Sequence, residues 1–70
     1  MKKTVTDVSS KIAELGGRMP IASASWCWTR FATTESAGQF VEWLDTNRYE
    51  NRGVSTVLLK GEWPVAFRFH

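Results

Sequence analysis

The apolar residues of this chain recur at two spacings, one typical of helices and the other typical of strands. The first helical stretch spans residues 4–17, and its apolar stripe consists of Val5, Val8, Ile12 and Leu15. Gly16 and Gly17 follow this stripe, and glycine readily adopts the left-handed conformation that ends many helices. The spacing therefore predicts a first helix that ends at this glycine pair.

The clearest helical pattern lies in the middle of the chain, in the sequence TTESAGQFVEWLDTNRYENRG. Thr33 or Thr34 can cap its start, and Asn47 is suited to end it. Trp43 is expected at the edge of the buried stripe, and Gly38 is expected to let a strand come close. The buried stripe is predicted to consist of Ala37, Phe40, Val41 and Leu44.

The segment IASASWCWTRFA predicts one strand, because it is rich in residues that favour sheets. Side chains alternate between the two faces of a strand. One face would carry Ala22, Ala24, Trp26, Trp28 and Arg30. The other face would carry Ile21, Ser23, Ser25, Cys27, Thr29 and Phe31.

The C-terminal segment predicts a hairpin of residues 54–59 and 63–69, with its turn at Lys60, Gly61 and Glu62. Pro64 cannot donate to a sheet, so the last strand is expected to start at an edge. One of its faces would carry Trp63, Val65, Phe67 and Phe69, and the other Pro64, Ala66, Arg68 and His70.

The resulting order, α-β-α-β-β, predicts a small α+β protein with a single two-layer domain spanning residues 1–70. A three-stranded sheet with a C-terminal hairpin would pack against one or two helices. The first two strands would be parallel across the second helix.

Composition narrows the chemistry further. Cys27 is the only cysteine among 70 residues, which excludes an intramolecular disulfide and a zinc site built on several thiolates. His70, the only histidine, cannot replace such a cluster, so neither a metal nor another cofactor is expected. A lone thiol fits a reducing cytoplasm, and no apolar run indicates a secretory signal or a membrane span.

Catalysis is not expected either. The serines have no glycine-flanked elbow, and no phosphate loop, dinucleotide fingerprint or paired-histidine helix is present. Cys27 lies between tryptophans, where a thiol usually serves as a small apolar side chain. The chain is therefore expected not to be an enzyme.

The two faces of the SWCW strand lead to different expectations. If Cys27 and Phe31 face the helices, an exposed surface of aromatic and basic side chains results, consisting of Trp26, Trp28, Arg30, Arg68 and His70. If Trp26 and Trp28 face the helices, they are core and this surface does not exist, which is the more frequent outcome for large aromatic residues.

The first hypothesis is a non-catalytic protein-binding module that uses this surface, with the acidic Glu42 and Asp45 as a second patch. The chain is similar in size, single-domain organisation and lack of a catalytic set to very small α+β proteins that phages and mobile elements make to bind host or defence machinery. This similarity involves no specific motif and implies an inhibitor or regulator without assigning any residue.

Two further hypotheses use the same features. The aromatic and basic face could stack bases and hold phosphates of single-stranded nucleic acid, although a net charge of +2 does not by itself indicate this partner. A surplus apolar face could instead make a homodimer.

Overall fold

The computed structural model describes residues 5–18, 20–23 and 26–68, with side chains except at positions 5, 6, 22 and 23. These residues form the helices α1 (Val5–Glu14) and α2 (Thr34–Thr46) and the strands β1 (Ile21–Ser23), β2 (Trp26–Phe31), β3 (Glu50–Val54) and β4 (Trp63–Arg68). The strands make one sheet in the order β1-β2-β4-β3 with antiparallel neighbours. The small α+β class and the predicted order of helices and strands are confirmed, and the sheet gains a strand.

The additional strand arises because the predicted strand over residues 21–32 is a pair of strands. Ile21 lies opposite Trp28, so the chain reverses direction between β1 and β2. Opposite residues of neighbouring strands point to the same face, so Ile21 shares the face of Trp28, and its predicted place beside Phe31 is wrong. No Gly, Pro, Asn or Asp marks a turn between the strands, which left the alternation looking continuous.

The strand predicted over residues 54–59 begins earlier, because β3 covers Glu50–Val54. After β3, the Ser55 hydroxyl forms two hydrogen bonds with the backbone of Val57. It accepts from the Val57 N–H at 3.0 Å and donates to the Val57 carbonyl at 3.1 Å. Such local bonds compete with a sheet ladder. The predicted tight turn is confirmed, since Leu59 and Glu62 exchange backbone hydrogen bonds of 2.8 and 3.0 Å. Gly61 at its centre has a φ of 77°.

β4 is a central strand, and the expectation that Pro64 marks an edge is wrong. The Pro64 carbonyl accepts a bond of 3.0 Å from the N–H of Ser55, so the position loses only its donor. β2 and β3 both run antiparallel to β4. They therefore share one direction across α2, as predicted, but β4 lies between them.

The core lies between the two helices and one face of the sheet, here called the covered face, which carries Cys27, Thr29, Phe31, Val65 and Phe67. Phe40 of α2 is its centre, with ring centroids 5.3 Å from Phe31 and 5.5 Å from Phe67. The α2 stripe is confirmed, and α1 adds Val8 and Ile12. The fully buried side chains include Phe31, Phe40, Phe67, Ile12, Leu44, Val8 and Val65.

Both helix ends follow from local sequence. Thr33 caps α2, its hydroxyl oxygen accepting the N–H of Ser36 at 3.1 Å, and Asn47 follows the last turn. α1 ends with Gly16 at a φ of 76°, while Gly17 donates to the Ile12 carbonyl at 2.8 Å. Gly16 also donates to the Ala13 carbonyl at 3.1 Å, so the two glycines satisfy carbonyls that the end of the helix would leave unpaired.

Two glycines differ sharply in their surroundings. A Cβ on Gly17 would lie 2.5 Å from the Phe31 ring and 2.8 Å from the Ile12 side chain. This glycine therefore lets α1 approach β2 closely. A Cβ on Gly38 would meet nothing within 4 Å, so the expectation that a strand comes close to Gly38 is wrong.

Candidate functional site: an aromatic and basic sheet face

The opposite side of the sheet carries the tryptophans of β2. Because Thr29 and Phe31 are buried on the covered face, Trp26, Trp28 and Arg30 point away from the helices. On β4 the same side carries Pro64, Ala66 and Arg68, which the pairing places opposite β2. This surface is called the open face. Of the two outcomes weighed from the sequence, the structure shows the one in which the tryptophans lie outside the core.

Trp26 lies among arginines from two other strands. The guanidinium carbon of Arg68 is 4.7 Å from the Trp26 ring centroid, and that of Arg52 is 4.9 Å away. Cations over an indole are attracted by the negative face of the ring. Trp26 is half-buried, and its ring contacts two guanidinium groups on the open face.

Trp28 is the more exposed of the two rings, at 36%. It lies between two shallow pockets, since it lines both. The first is called the Arg52 pocket, has a volume of about 320 Å³ and is lined by Trp28, Arg52, Gly53, Val54, Ser55, Thr56, Pro64 and Ala66. The second is called the Leu59 pocket, has a volume of about 160 Å³ and is lined by Ile21, Trp28, Thr29, Arg30, Leu59, Lys60 and Pro64.

The Leu59 pocket lies in an apolar part of the surface. Ile21 is 66% exposed and Leu59 is 51% exposed, and both line the pocket beside Trp28. Val57 and Leu58, which precede Leu59 in the chain, are also exposed. An exposed cluster of large apolar side chains on a small protein typically marks an interaction surface.

Two carboxylates neutralise part of the positive charge. Glu62 lies 3.0 Å from Arg18 Nε and 3.6 Å from Arg30 Nε, and Glu50 lies 3.0 Å from Arg68 Nε. Two other cations, Arg52 and Lys60, form no ion pair with a carboxylate of the described residues. Each of them lines one of the two pockets beside Trp28.

The structure places the predicted site residues in two separate regions. Trp26, Trp28, Arg30 and Arg68 share the open face, while His70 lies outside the described residues. Glu42 and Asp45 are exposed on α2, which packs on the covered face, so they do not join this surface. Asp45 accepts a hydrogen bond of 2.8 Å from the Asn51 amide.

Sequence reasoning missed Arg52, Lys60, Ile21 and Leu59. Arg52 followed the predicted helix with no assigned strand, and it enters the open face only because β3 begins at Glu50. A bulge follows, since Asn51 pairs with Phe67 and Val54 with Val65, and Asn51 Oδ1 accepts the N–H of Gly53 at 2.9 Å. The KG pair at the turn was the one available signal for Lys60.

The described residues contain no group of three or more His, Cys, Asp or Glu side chains placed to hold a metal ion. Cys27 is a half-buried free thiol on the covered face. Neither described helix is both long and apolar enough to cross a membrane.

The chain matches no protein-family model, no curated protein and no solved structure. The open face is therefore the feature of this molecule from which a function can be inferred.

Proposed function

We propose that this chain is a non-catalytic protein-binding module that docks a partner protein on its open face. The observation that carries the proposal is Trp28, an exposed ring between two pockets and beside the exposed Ile21 and Leu59. Tryptophan and arginine contribute most to the energy of protein interfaces, because they bury large areas and form oriented polar contacts. Trp26, Arg30 and Arg68 complete the predicted contact set, together with His70.

The sheet beneath this surface is well suited to binding. β2 and β4 are internal strands of the sheet, and most of their covered-face side chains are fully buried, namely Thr29, Phe31, Val65 and Phe67. A rigid base limits the side-chain entropy that is lost on binding. The Trp26 ring contacts both Arg52 and Arg68, and Glu50 further holds Arg68, so the positions of these two cations on the open face are restricted before a partner binds.

The proposal is tested by photo-crosslinking in the cell that encodes the protein. A photoreactive phenylalanine derivative is placed at Ile21, on the open face, or at Gln39, which is exposed on α2. We expect a crosslinked protein from position 21 and not from position 39. That protein is identified by mass spectrometry, purified and titrated with the wild type and with Trp28→Ala.

Loss of a central tryptophan from an interface typically costs about 2 kcal/mol or more, so Trp28→Ala should weaken the purified complex by at least about thirtyfold. Unchanged affinity in a variant that keeps the wild-type circular dichroism spectrum would show that the open face is not the docking site. Crosslinks from position 39 alone would move the site to α2, where Glu42 and Asp45 are exposed.

A second candidate function is binding of single-stranded DNA or RNA by the same face. It is favoured by the alternation of rings and cations, with Trp26 beside Arg52 and Arg68, and Trp28 beside a pocket that contains Lys60. Binding to oligothymidylate should then fall steeply as salt rises, because phosphate contacts release counterions. A flat salt response, or no binding at low salt, excludes this function.

A homodimer remains a third proposal and is compatible with either function. A molar mass that stays monomeric over a wide range of concentration excludes it. We place the protein in the cytoplasm, as the free thiol of Cys27 suits a reducing compartment. The small size and the similarity to phage and mobile-element binders support a role as an inhibitor or regulator of a host or defence protein.

A further inference from the structure

The cations around Trp28 fall into two groups, those with a carboxylate nearby and those without one among the described residues. Arg18 and Arg30 lie near Glu62, and Arg68 lies beside Glu50. Arg52 and Lys60 have no carboxylate partner among the described residues, and both are exposed. Each of these two cations lines a pocket beside the exposed ring, whereas Arg30, which also lines the Leu59 pocket, lies 3.6 Å from Glu62.

The pockets themselves differ in character. The Leu59 pocket is bordered by three large apolar side chains, those of Ile21, Trp28 and Leu59. Its volume is about 160 Å³. This space suits one aliphatic or aromatic side chain, and filling it would remove apolar surface from water on both partners.

The positive charges of Lys60 and Arg52 indicate that acidic residues would flank that side chain in a partner. Lys60 lines the Leu59 pocket, and Arg52 lies on the other side of Trp28. Carboxylates of a partner can bind these cations without displacing Glu50 or Glu62. Arginine in particular offers a planar pair of donors that matches a carboxylate.

A continuous phosphate chain fits this surface less well. Glu50 and Glu62 lie at two places on the open face and would repel phosphates there, while three nearby arginines are already compensated by them. The ring of Trp26 is contacted by two guanidinium groups, which a stacking base would have to displace. The exposed Ile21 and Leu59 can form apolar contacts with an apolar side chain, but they provide no group that binds a phosphate.

A second copy of this chain docked through the same face is disfavoured by charge. A two-fold interface brings identical patches together. Arg52 and Lys60 of both copies would then lie in one interface, and the second copy would add cations of the same kind, which makes the shared surface more positive and the contact less favourable.

We propose that the open face binds an acidic segment of a partner protein, in which one apolar side chain enters the Leu59 pocket while neighbouring carboxylates bind Arg52 and Lys60. This inference rests on the proposed function and adds the chemistry of the bound segment.

The test is selection from a random dodecapeptide library displayed on phage, with the wild-type protein as bait and Trp28→Ala for counter-selection. We expect enriched peptides with a Leu, Ile, Phe or Trp flanked by Asp or Glu. One enriched peptide is then synthesised and titrated while the indole N–H resonances of the labelled protein are followed. Trp28→Phe identifies the resonance of Trp28.

Charge variants measure the contribution of each cation to peptide affinity. Arg52→Gln and Lys60→Gln should each weaken binding by about twofold to fivefold, the range expected for one exposed ion pair. Lys11→Gln removes the same charge from α1 and should leave the affinity unchanged. Replacing the apolar residue of the peptide with serine should abolish the shift of the Trp28 resonance.

The opposite outcomes are distinct from one another. Enrichment of basic or uncharged peptides that still requires Trp28 overturns the acidic segment and leaves the docking face in place. The absence of any peptide that requires Trp28 overturns this inference, while the crosslinking experiment decides the proposed function independently. If an eight-nucleotide oligothymidylate shifts the Trp28 resonance and no peptide does, the inference is overturned in favour of nucleic acid. If the Trp28 resonance shifts when the protein alone is concentrated, the inference is overturned in favour of a second copy.

Discussion

The two faces of the central strands β2 and β4 contain large aromatic residues in similar number but in opposite surroundings. On the covered face, Phe31 and Phe67 are fully buried around Phe40. On the open face, Trp26 is half-buried beneath arginines and Trp28 is exposed between two pockets. The first set supplies the stability of the domain, and the second is free to supply contacts. Aromatic content alone therefore does not identify a core.

The largest expected difference between the faces comes from removing one aromatic ring from each. Phe40→Ala should cost about 3–5 kcal/mol, because it leaves a cavity among fully buried rings. A single core of this size supplies only about 3–5 kcal/mol of stability, so the variant should be largely unfolded at room temperature. Urea denaturation followed by circular dichroism measures this. A cooperative transition near that of the wild type would show that the rings around Phe40 do not carry the fold.

Overpacking on the covered face should have the next largest effect. Gly17→Ala places a methyl group 2.5 Å from the Phe31 ring, so α1 or the ring must shift, at a cost of about 1–3 kcal/mol. Gly38→Ala is the matched control, since its methyl group meets nothing and alanine favours a helix interior by up to about 1 kcal/mol. The two substitutions should therefore move the thermal midpoint in opposite directions. A stabilised Gly17→Ala would mean that α1 packs more loosely on β2 than the structure indicates.

The buried polar residue of β2 should give a smaller effect. The Thr29 hydroxyl donates to the Arg18 carbonyl at 2.6 Å and is the one buried polar side chain on the described part of the covered face. Thr29→Val keeps the shape but removes the donor, at a cost of about 1–2 kcal/mol. Thr29→Ser keeps the hydroxyl and should recover most of the hydrogen-bond contribution. Equal stability of the valine and serine variants in urea would argue against this hydrogen bond.

Substitutions of the open-face tryptophans should reduce stability less than the removal of Phe40. Trp28→Ala should lower the free energy of unfolding by less than Phe40→Ala does, because 36% of Trp28 remains exposed in the folded state. Trp26→Ala should also remove two cation–π contacts, each worth about 0.5–1 kcal/mol at an exposed site. Chemical denaturation measures both variants. A loss at Trp28 as large as that at Phe40 would place Trp28 in the core.

Acrylamide quenching offers an independent check on the same comparison. In the double variant Trp26→Phe/Trp28→Phe, the remaining fluorescence comes from Trp43 and Trp63, both half-buried against the core. The component lost with the double substitution should be red-shifted and readily quenched. A blue-shifted, protected component in a dilute monomer would contradict the exposed position of Trp28.

Local signals predicted the helices and one turn closely. Thr33 and Asn47 bound α2, and the pair Gly16–Gly17 ends α1, because caps and left-handed glycines act within a few residues. The tight turn at Lys60 and Gly61 is of the same kind. The strands were harder to place, since no Gly, Pro, Asn or Asp lies between β1 and β2 and β3 begins in a segment with little apolar pattern.

The candidate site was predicted in part. The alternation of β2 grouped Trp26, Trp28 and Arg30, and β4 added Arg68. Ile21, Arg52 and Lys60 join them through the β1–β2 reversal, the early start of β3 and the turn before β4. These contacts link residues far apart in sequence, so no local pattern could reveal that one ring would be bordered by two pockets and by two cations that form no ion pair within the described part of the chain.

The linear order of residues was enough to define two helices, an α+β domain and two alternative faces for the SWCW strand. It could not choose between those faces, because alternation assigns side chains to opposite sides without saying which side a helix will cover. Both sides carry apolar groups, so burial alone does not separate them. Tertiary packing determines which face the helices cover. Gly17 lets α1 approach Phe31, and Phe40 packs against both Phe31 and Phe67. The phenylalanines fill the space beneath the helices, and the tryptophans therefore face outwards.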